Sequence, residues 1–126
     1  MFNIKNRHDS YEALVADPEV DAIYIASPHP WHLDHVLLAL NAGKHVLCEK
    51  PFAMNSNEAK MMVDKAREKN LLLVEAMWTR FLPHIRQLRK VLAAKTIGDI
   101  IYVAADHGQW FAEDPKFRLF APELGG

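Results

Sequence analysis

The chain is expected to be an α/β protein built on a parallel sheet, and three observations carry that expectation. Apolar runs at residues 21–26, 45–49 and 71–76 have the length and composition of strands covered on both faces. Segments of helical periodicity separate them, which is the signature of βαβ crossovers. Prolines and glycines punctuate the boundaries, as at Pro18, Pro28, Pro30 and Gly43.

Each element follows from its residues. A helix should start near Asp9 or Ser10, where Asp9 and Glu12 stand at capping-box spacing and Tyr11, Leu14 and Val15 make a small apolar face that Pro18 ends. Asp21 to Ala26 is the first strand. From Trp31, the residues Leu33, Val36, Leu37 and Leu40 recur at helical spacing, and Gly43 is placed to close the helix in the left-handed region. His45 to Glu49 is the second strand. Asn55 with Glu58 repeats the capping pattern, Ala59, Met62, Val63 and Ala66 form one face, and Lys65, Arg67 and Lys69 gather at the end where cations suit the helix dipole. Leu71 to Ala76 is the third strand. A further helix from about Pro83 should bury Ile85, Leu88 and Leu92, and Ile100 to Ala105 has the character of a strand opening a second unit. Beyond Asp106 the pattern is irregular, with Trp110, Phe111, Phe117 and Phe120 scattered among prolines and charges.

Composition sets bounds on function. The chain has 126 residues, half of them apolar, and a formal net charge of -1, so it can hold a core and has no field to recruit nucleic acid or an acidic membrane. The cationic cluster Arg86, Arg89, Lys90 and Lys95 reads as a solvated helix face. Cys48 is the only cysteine, which excludes an internal disulfide and a thiolate zinc cluster within one chain. No apolar run has the length of a signal peptide or membrane span. A cytoplasmic protein acting on a small molecule is the expectation.

Residues 42–51, Ala-Gly-Lys-His-Val-Leu-Cys-Glu-Lys-Pro, hold the chemistry. They put Glu49 and Lys50 where a buried strand runs out, and in open α/β sheets ligands bind at the carboxyl ends of strands. An alcohol losing hydride must also lose its hydroxyl proton, and Lys50 is suited to take it once partial burial or a nearby positive charge makes its ammonium more acidic. The competing reading is an ordinary surface lysine. Ser27 and Pro28 end the first strand at the same edge, and His32 opens the next helix. His29, His32 and His35 invite a metal site, but the prolines around His29 and the want of a further ligand speak against one. Cys48, in the middle of a buried strand, reads as an inert apolar side chain. None of the five glycines forms the Gly-x-Gly-x-x-Gly loop that cradles a pyrophosphate. A three-stranded sheet would also leave the strand at 21–26 with an open edge. The chain is therefore expected to be an internal piece of a larger protein.

Three stretches carry a family resemblance: Ala26-Ser27-Pro28-His29-Pro30-Trp31-His32, residues 42–51, and Glu75-Ala76-Met77-Trp78-Thr79-Arg80-Phe81. In this order they resemble the glucose-fructose oxidoreductase and inositol dehydrogenase (Gfo/Idh/MocA) family, and Trp78 to Phe81 most resembles its branch of dimeric dihydrodiol dehydrogenases and NADP-dependent D-xylose dehydrogenases. The resemblance implies the second half of a Rossmann-type doubly wound sheet, followed by the start of an α+β domain with an antiparallel sheet. It divides the chain into residues 1–78 of a nucleotide-binding domain, a connecting helix over 79–97, and the opening of a substrate and dimerisation domain over 98–126. It implies an NAD- or NADP-dependent hydride transfer to or from a sugar, polyol or dihydrodiol, with Lys50 as acid/base. Ser27, Pro28, His32, Glu49, Lys50, Pro51, Trp78 and Arg80 would meet the cofactor, with Arg80 holding a phosphate or orienting Glu75. Trp78, Phe117 and Arg118 would meet the substrate. The full-length protein would be a dimer. The alternatives are a non-catalytic NADP-binding sensor and an inactive truncated product; Glu49-Lys50-Pro51 argues for catalysis, and the missing glycine loop argues for the inactive product when the chain is taken alone.

Overall fold

A computed structural model describes residues 4–125. The chain runs α1 (Tyr11–Ala16), β1 (Ala22–Ile25), α2 (His32–Asn41), β2 (His45–Cys48), α3 (Ser56–Glu68), β3 (Leu73–Glu75) and α4 (Pro83–Ala93), with single-turn 3-10 helices at His29–Trp31, Trp78–Phe81 and Pro122–Leu124. The three strands form one parallel sheet in the order β1-β2-β3, with Ile25 opposite Cys48 and Cys48 opposite Glu75. This register brings the carboxyl ends of all three strands to one edge. The turns that hold Ser27, Lys50 and Trp78 leave from that edge.

Local chemistry explains the helices. At α3, Asn55 accepts from the Glu58 N–H at 3.0 Å, and Glu58 reaches back to the Met54 N–H at 3.1 Å. Asn55→Ala should therefore lower stability by about 1 kcal/mol, read as a shift of the urea midpoint at unchanged slope. At α1 the cap is Ser10, not Asp9: its hydroxyl accepts from the Ala13 N–H at 3.1 Å, which moves Glu12 out of capping-box register. Gly43, at φ 79°, follows α2 in the left-handed region as expected.

The core lies on one side of the sheet. Val36, Ala39 and Leu40 of α2 and Met62 of α3 are fully buried with Cys48, against Ile23, Ile25 and Val46. The expectation that the strands are covered on both faces is not met, since Tyr24, Leu47 and Val74 on the other face are 57, 41 and 43 % exposed. The reason is topological: successive crossovers that advance in one direction with one handedness lay their helices on the same face.

Two further expectations are corrected. The helix over 83–93 forms with its apolar stripe, but Leu88 and Leu92 are exposed, because among the described residues α4 packs mainly against the Trp78–Phe81 turn. Ile100 to Ala105 forms no strand, and Ile101 stands 98 % exposed. A strand needs a hydrogen-bonded neighbour, and among the described residues none lies beside this run.

Candidate active site

Lys50 lies just past β2, exposed at the carboxyl edge, and its peptide bond to Pro51 is cis. Glu49 points to the open face of the sheet, because side chains alternate along β2 and buried Cys48 points to the core. Tyr24 of β1 points to the same face. Its hydroxyl donates to Glu49 Oε1, while Glu49 Oε2 accepts the Lys50 backbone N–H at 3.1 Å. The Tyr24 hydrogen bond is the main force holding the Glu49 carboxyl below its ordinary range, and Glu49 in turn pushes the Tyr24 phenol up. Glu49 is thus occupied by Tyr24 and the backbone, and among the described residues no ion pair ties down the Lys50 ammonium.

A recess opens beside Lys50, lined by Tyr24, Ser27, His29, Glu49 and Arg118. Arg118 arrives there because the carboxy-terminal turn docks on the His29–Trp31 turn. Ala121 is 2 % exposed, and Gly125, at φ 85°, passes so close that a Cβ on it would lie 2.6 Å from His29 Nδ1. Only glycine suits both the angle and the space. His29 itself is buried, and burial first, then the neighbouring His32, Arg118 and Lys50, hold its imidazole below the ordinary histidine value against a partly offsetting hydrogen bond that the ring donates to the Gly125 backbone.

The other expected residues divide by position. Ser27 lines the recess, and its hydroxyl also bonds His35 Nδ1 at 2.9 Å, with the His35 ring tilted against Tyr11. Pro28 and Pro51 stand exposed on the two turns. His32 is fully buried, with its ring nitrogens against the backbone carbonyls of Ser27, Pro51 and Phe52. Trp78 lies not with Lys50 but in the neighbouring apolar recess on the open sheet face, with Leu47, Val74 and Phe81; Tyr24 and Glu49 line both recesses. Phe117 packs with Phe111 and Phe120. Arg80 is exposed, and Glu75 is oriented by the Phe52 N–H at 3.1 Å; among the described residues no hydrogen bond joins Arg80 to Glu75.

Sequence reasoning passed over Tyr24, His29 as a wall of the recess, and Gly125. The signal for Tyr24 was present: period-two alternation in adjacent parallel strands places Tyr24 and Glu49 on one face, a step from the strand ends. His29 and Gly125 had no such signal, since their approach depends on a long irregular segment.

Cys48 takes no part in this edge chemistry. Its thiol is fully buried and pushed up to about 12, by burial first and then by the carboxylates of Glu75 and Glu49. The folded chain should resist iodoacetamide at mildly alkaline pH and react once unfolded in urea, as mass spectrometry will show.

Parallel strands with crossover helices are the architecture of an open α/β domain, whose ligands bind at the carboxyl edge of the sheet. Residues 1–77 match the family model described as an oxidoreductase family with an NAD-binding Rossmann fold, and the chain belongs to this Gfo/Idh/MocA family. It is 50 % identical over 125 residues to trans-1,2-dihydrobenzene-1,2-diol dehydrogenase of Mus musculus, covering 99 % of this chain and 38 % of that protein. It is 40 % identical to D-xylose 1-dehydrogenase (NADP(+)) of Hypocrea jecorina, covering 94 % of this chain and 32 % of that protein. Among solved structures it resembles KijD10, a 3-ketoreductase from Actinomadura kijaniata in complex with TDP-benzene and NADP, at a TM-score of 0.65 and 38 % identity, over 71 % of this chain and 28 % of that one. The chain thus spans about a third of the length of the curated relatives it matches.

Proposed function

We propose that the whole protein is an NAD- or NADP-dependent oxidoreductase that moves a hydride between nicotinamide and a carbinol carbon of a dihydrodiol, sugar or polyol. One observation carries this reading: the recess at the carboxyl edge of three parallel strands that joins the Lys50 ammonium to Ser27, His29 and Arg118. The Ser27 hydroxyl at this edge fits a ribose of a dinucleotide, although the described residues include no glycine cradle for its pyrophosphate. The names of the relatives and of the NADP-bound neighbour support the same substrate and cofactor classes.

A bound nicotinamide supplies the hydride acceptor or donor. Lys50 Nζ, as the amine, takes the hydroxyl proton while the carbon–oxygen bond becomes a carbonyl, and as the ammonium it returns that proton in the reverse direction. Ser27, Pro28, Glu49 and Pro51 form the cofactor lip. Trp78, Phe117 and Arg118 face the substrate side, and Arg80 lies at the edge for a phosphate. In this reading residues 1–78 belong to the nucleotide-binding domain, 79–97 connect, and 98–126 open a second domain through which the protein dimerises. The exposed apolar run at Ile100 to Val103 supports such an assembly. The reading includes a cytoplasmic location, supported by a single cysteine held as a thiol. No helix among the described residues is long and apolar enough to cross a membrane.

The test is to follow reduced nicotinamide with the whole protein, offering NAD or NADP with trans-dihydrobenzenediol, D-xylose or an inositol. Turnover of any pair is the expected result. Silence with every pair overturns the reading.

A further inference from the structure

His32 is a buried histidine whose surroundings are all acceptors. It is fully buried at the start of α2, and its Nε2 lies 2.8 Å from the Ser27 carbonyl oxygen. Its Nδ1 lies 3.0 Å from the Pro51 carbonyl and 3.2 Å from that of Phe52. A backbone carbonyl can only accept, and a neutral imidazole has a single N–H. In the neutral ring, whichever nitrogen lacked the proton would press its lone pair against a carbonyl oxygen with no water to intervene, which is the costly case of a buried, unmatched polar group.

We infer that His32 is held as an imidazolium, a cationic clamp whose two N–H groups fasten the Ser27 turn to the Lys50-Pro51-Phe52 turn and thereby position Lys50. The inference rests on the oxidoreductase reading only for its consequence, and not for the clamp itself. The two turns leave adjacent parallel strands, β1 and β2, and among the described residues no backbone hydrogen bond joins them past Glu49, whose N–H bonds the Ile25 carbonyl at 2.9 Å. Beyond that point His32 is the bridge. Lys50 is the residue immediately before the first carbonyl it grips on the β2 side. Glu75 secures the same turn from β3 by accepting the Phe52 N–H, and Cys48 Sγ lies 3.8 Å from the Phe52 carbonyl.

The surroundings fit a cation at this place. Three carbonyl dipoles point at the ring, the Glu49 carboxylate lies close enough for the His32 charge to help hold it ionised, and Glu75 stands behind Phe52. On the other side the His29 ring meets His32 edge-on at 5.6 Å. Burial and the His32 charge favour a neutral His29, so two cations are not forced together. Cys48 is held as a thiol, Lys50 is solvent-exposed, and His35 is turned to Ser27 Oγ. Fully buried, His32 has the place of a positioning residue. It acts on the reaction through the two carbonyls it holds.

Long-range proton–nitrogen correlation spectra of the 15N-labelled protein test the clamp directly. The expected result is a proton on both ring nitrogens of His32 at neutral pH, each slow to exchange with water. One N–H beside a bare nitrogen overturns the inference. Two variants test the positioning: His32→Gln, which keeps a donor for one of the two turns, and His32→Ala. Where either folds, kcat for hydride transfer should fall by about 10²-fold, the cost of a misplaced reacting group, with the Kd for NADPH little changed and His32→Gln the less impaired. An unchanged kcat overturns the positioning role. A wild-type protein without hydride transfer would remove the oxidoreductase reading alone, and the ring spectra would still decide the clamp.

Discussion

Lys50→Ala in the whole protein should lower kcat for hydride transfer by about 10²–10⁴-fold, the usual worth of a positioned general acid or base, and leave NADPH affinity nearly unchanged. The geometry behind this is the division of labour between neighbours. Glu49, the adjacent residue, would otherwise be free to form an ion pair with the Lys50 ammonium. Instead its carboxylate is drawn aside by the Tyr24 hydroxyl and by the Lys50 backbone N–H. The ammonium is left facing the recess with Ser27, His29 and Arg118. Lys50→Arg separates two roles that alanine removes together. Arginine keeps the charge but does not release its proton in proteins, so a proton-transfer role predicts that it fails as badly as alanine. Substantial activity in Lys50→Arg, measured by steady-state kinetics, would reduce Lys50 to an electrostatic contact.

How far the residues disclosed this site depended on the range of the interactions that built it. The strands, the helices and the placing of Lys50 and Ser27 at one edge follow from local periodicity and turn chemistry, and the parallel sheet forms where those patterns put it. Errors entered where a non-local partner decides the outcome. Leu88 and Leu92 have the spacing of a buried stripe, but spacing says only that a face exists and not what covers it. Ile100 to Ala105 has strand composition, and composition cannot form a ladder without a neighbouring strand. The place of His32 at the start of the helix after the first strand was legible. Its carbonyl partners were not, because they depend on how the turn at Lys50-Pro51-Phe52 folds back over α2. Arg118 was read as a substrate-side residue, and its recess adjoins Lys50 only through the close approach of Gly125 to His29.

Leu40→Ala should destabilise the chain by about 2–5 kcal/mol, the range for removing a fully buried leucine and leaving a cavity. Leu40 is completely buried in the cluster that holds Val36, Ala39, Val46, Cys48 and Met62. Among the described residues the helices cover one face only, so no second layer there compensates for a void in this cluster. The loss is a large share of the roughly 5–15 kcal/mol that keeps an ordinary domain folded. Leu88→Ala on α4 is the matched control. That side chain is 48 % exposed, so the same chemical change should fall within about 0.5 kcal/mol of wild type. Urea titration followed by far-ultraviolet circular dichroism measures both, and equal midpoints for the two variants would mean that the core does not lie where the buried cluster puts it. The consequence extends to the carboxyl edge, since α2 carries Leu40 near its end and His32 at its start. A helix loosened from the sheet at Leu40 takes with it the ring that joins the Ser27 and Lys50 turns, so exchange protection of the His32 ring protons should fall in step with the loss of stability.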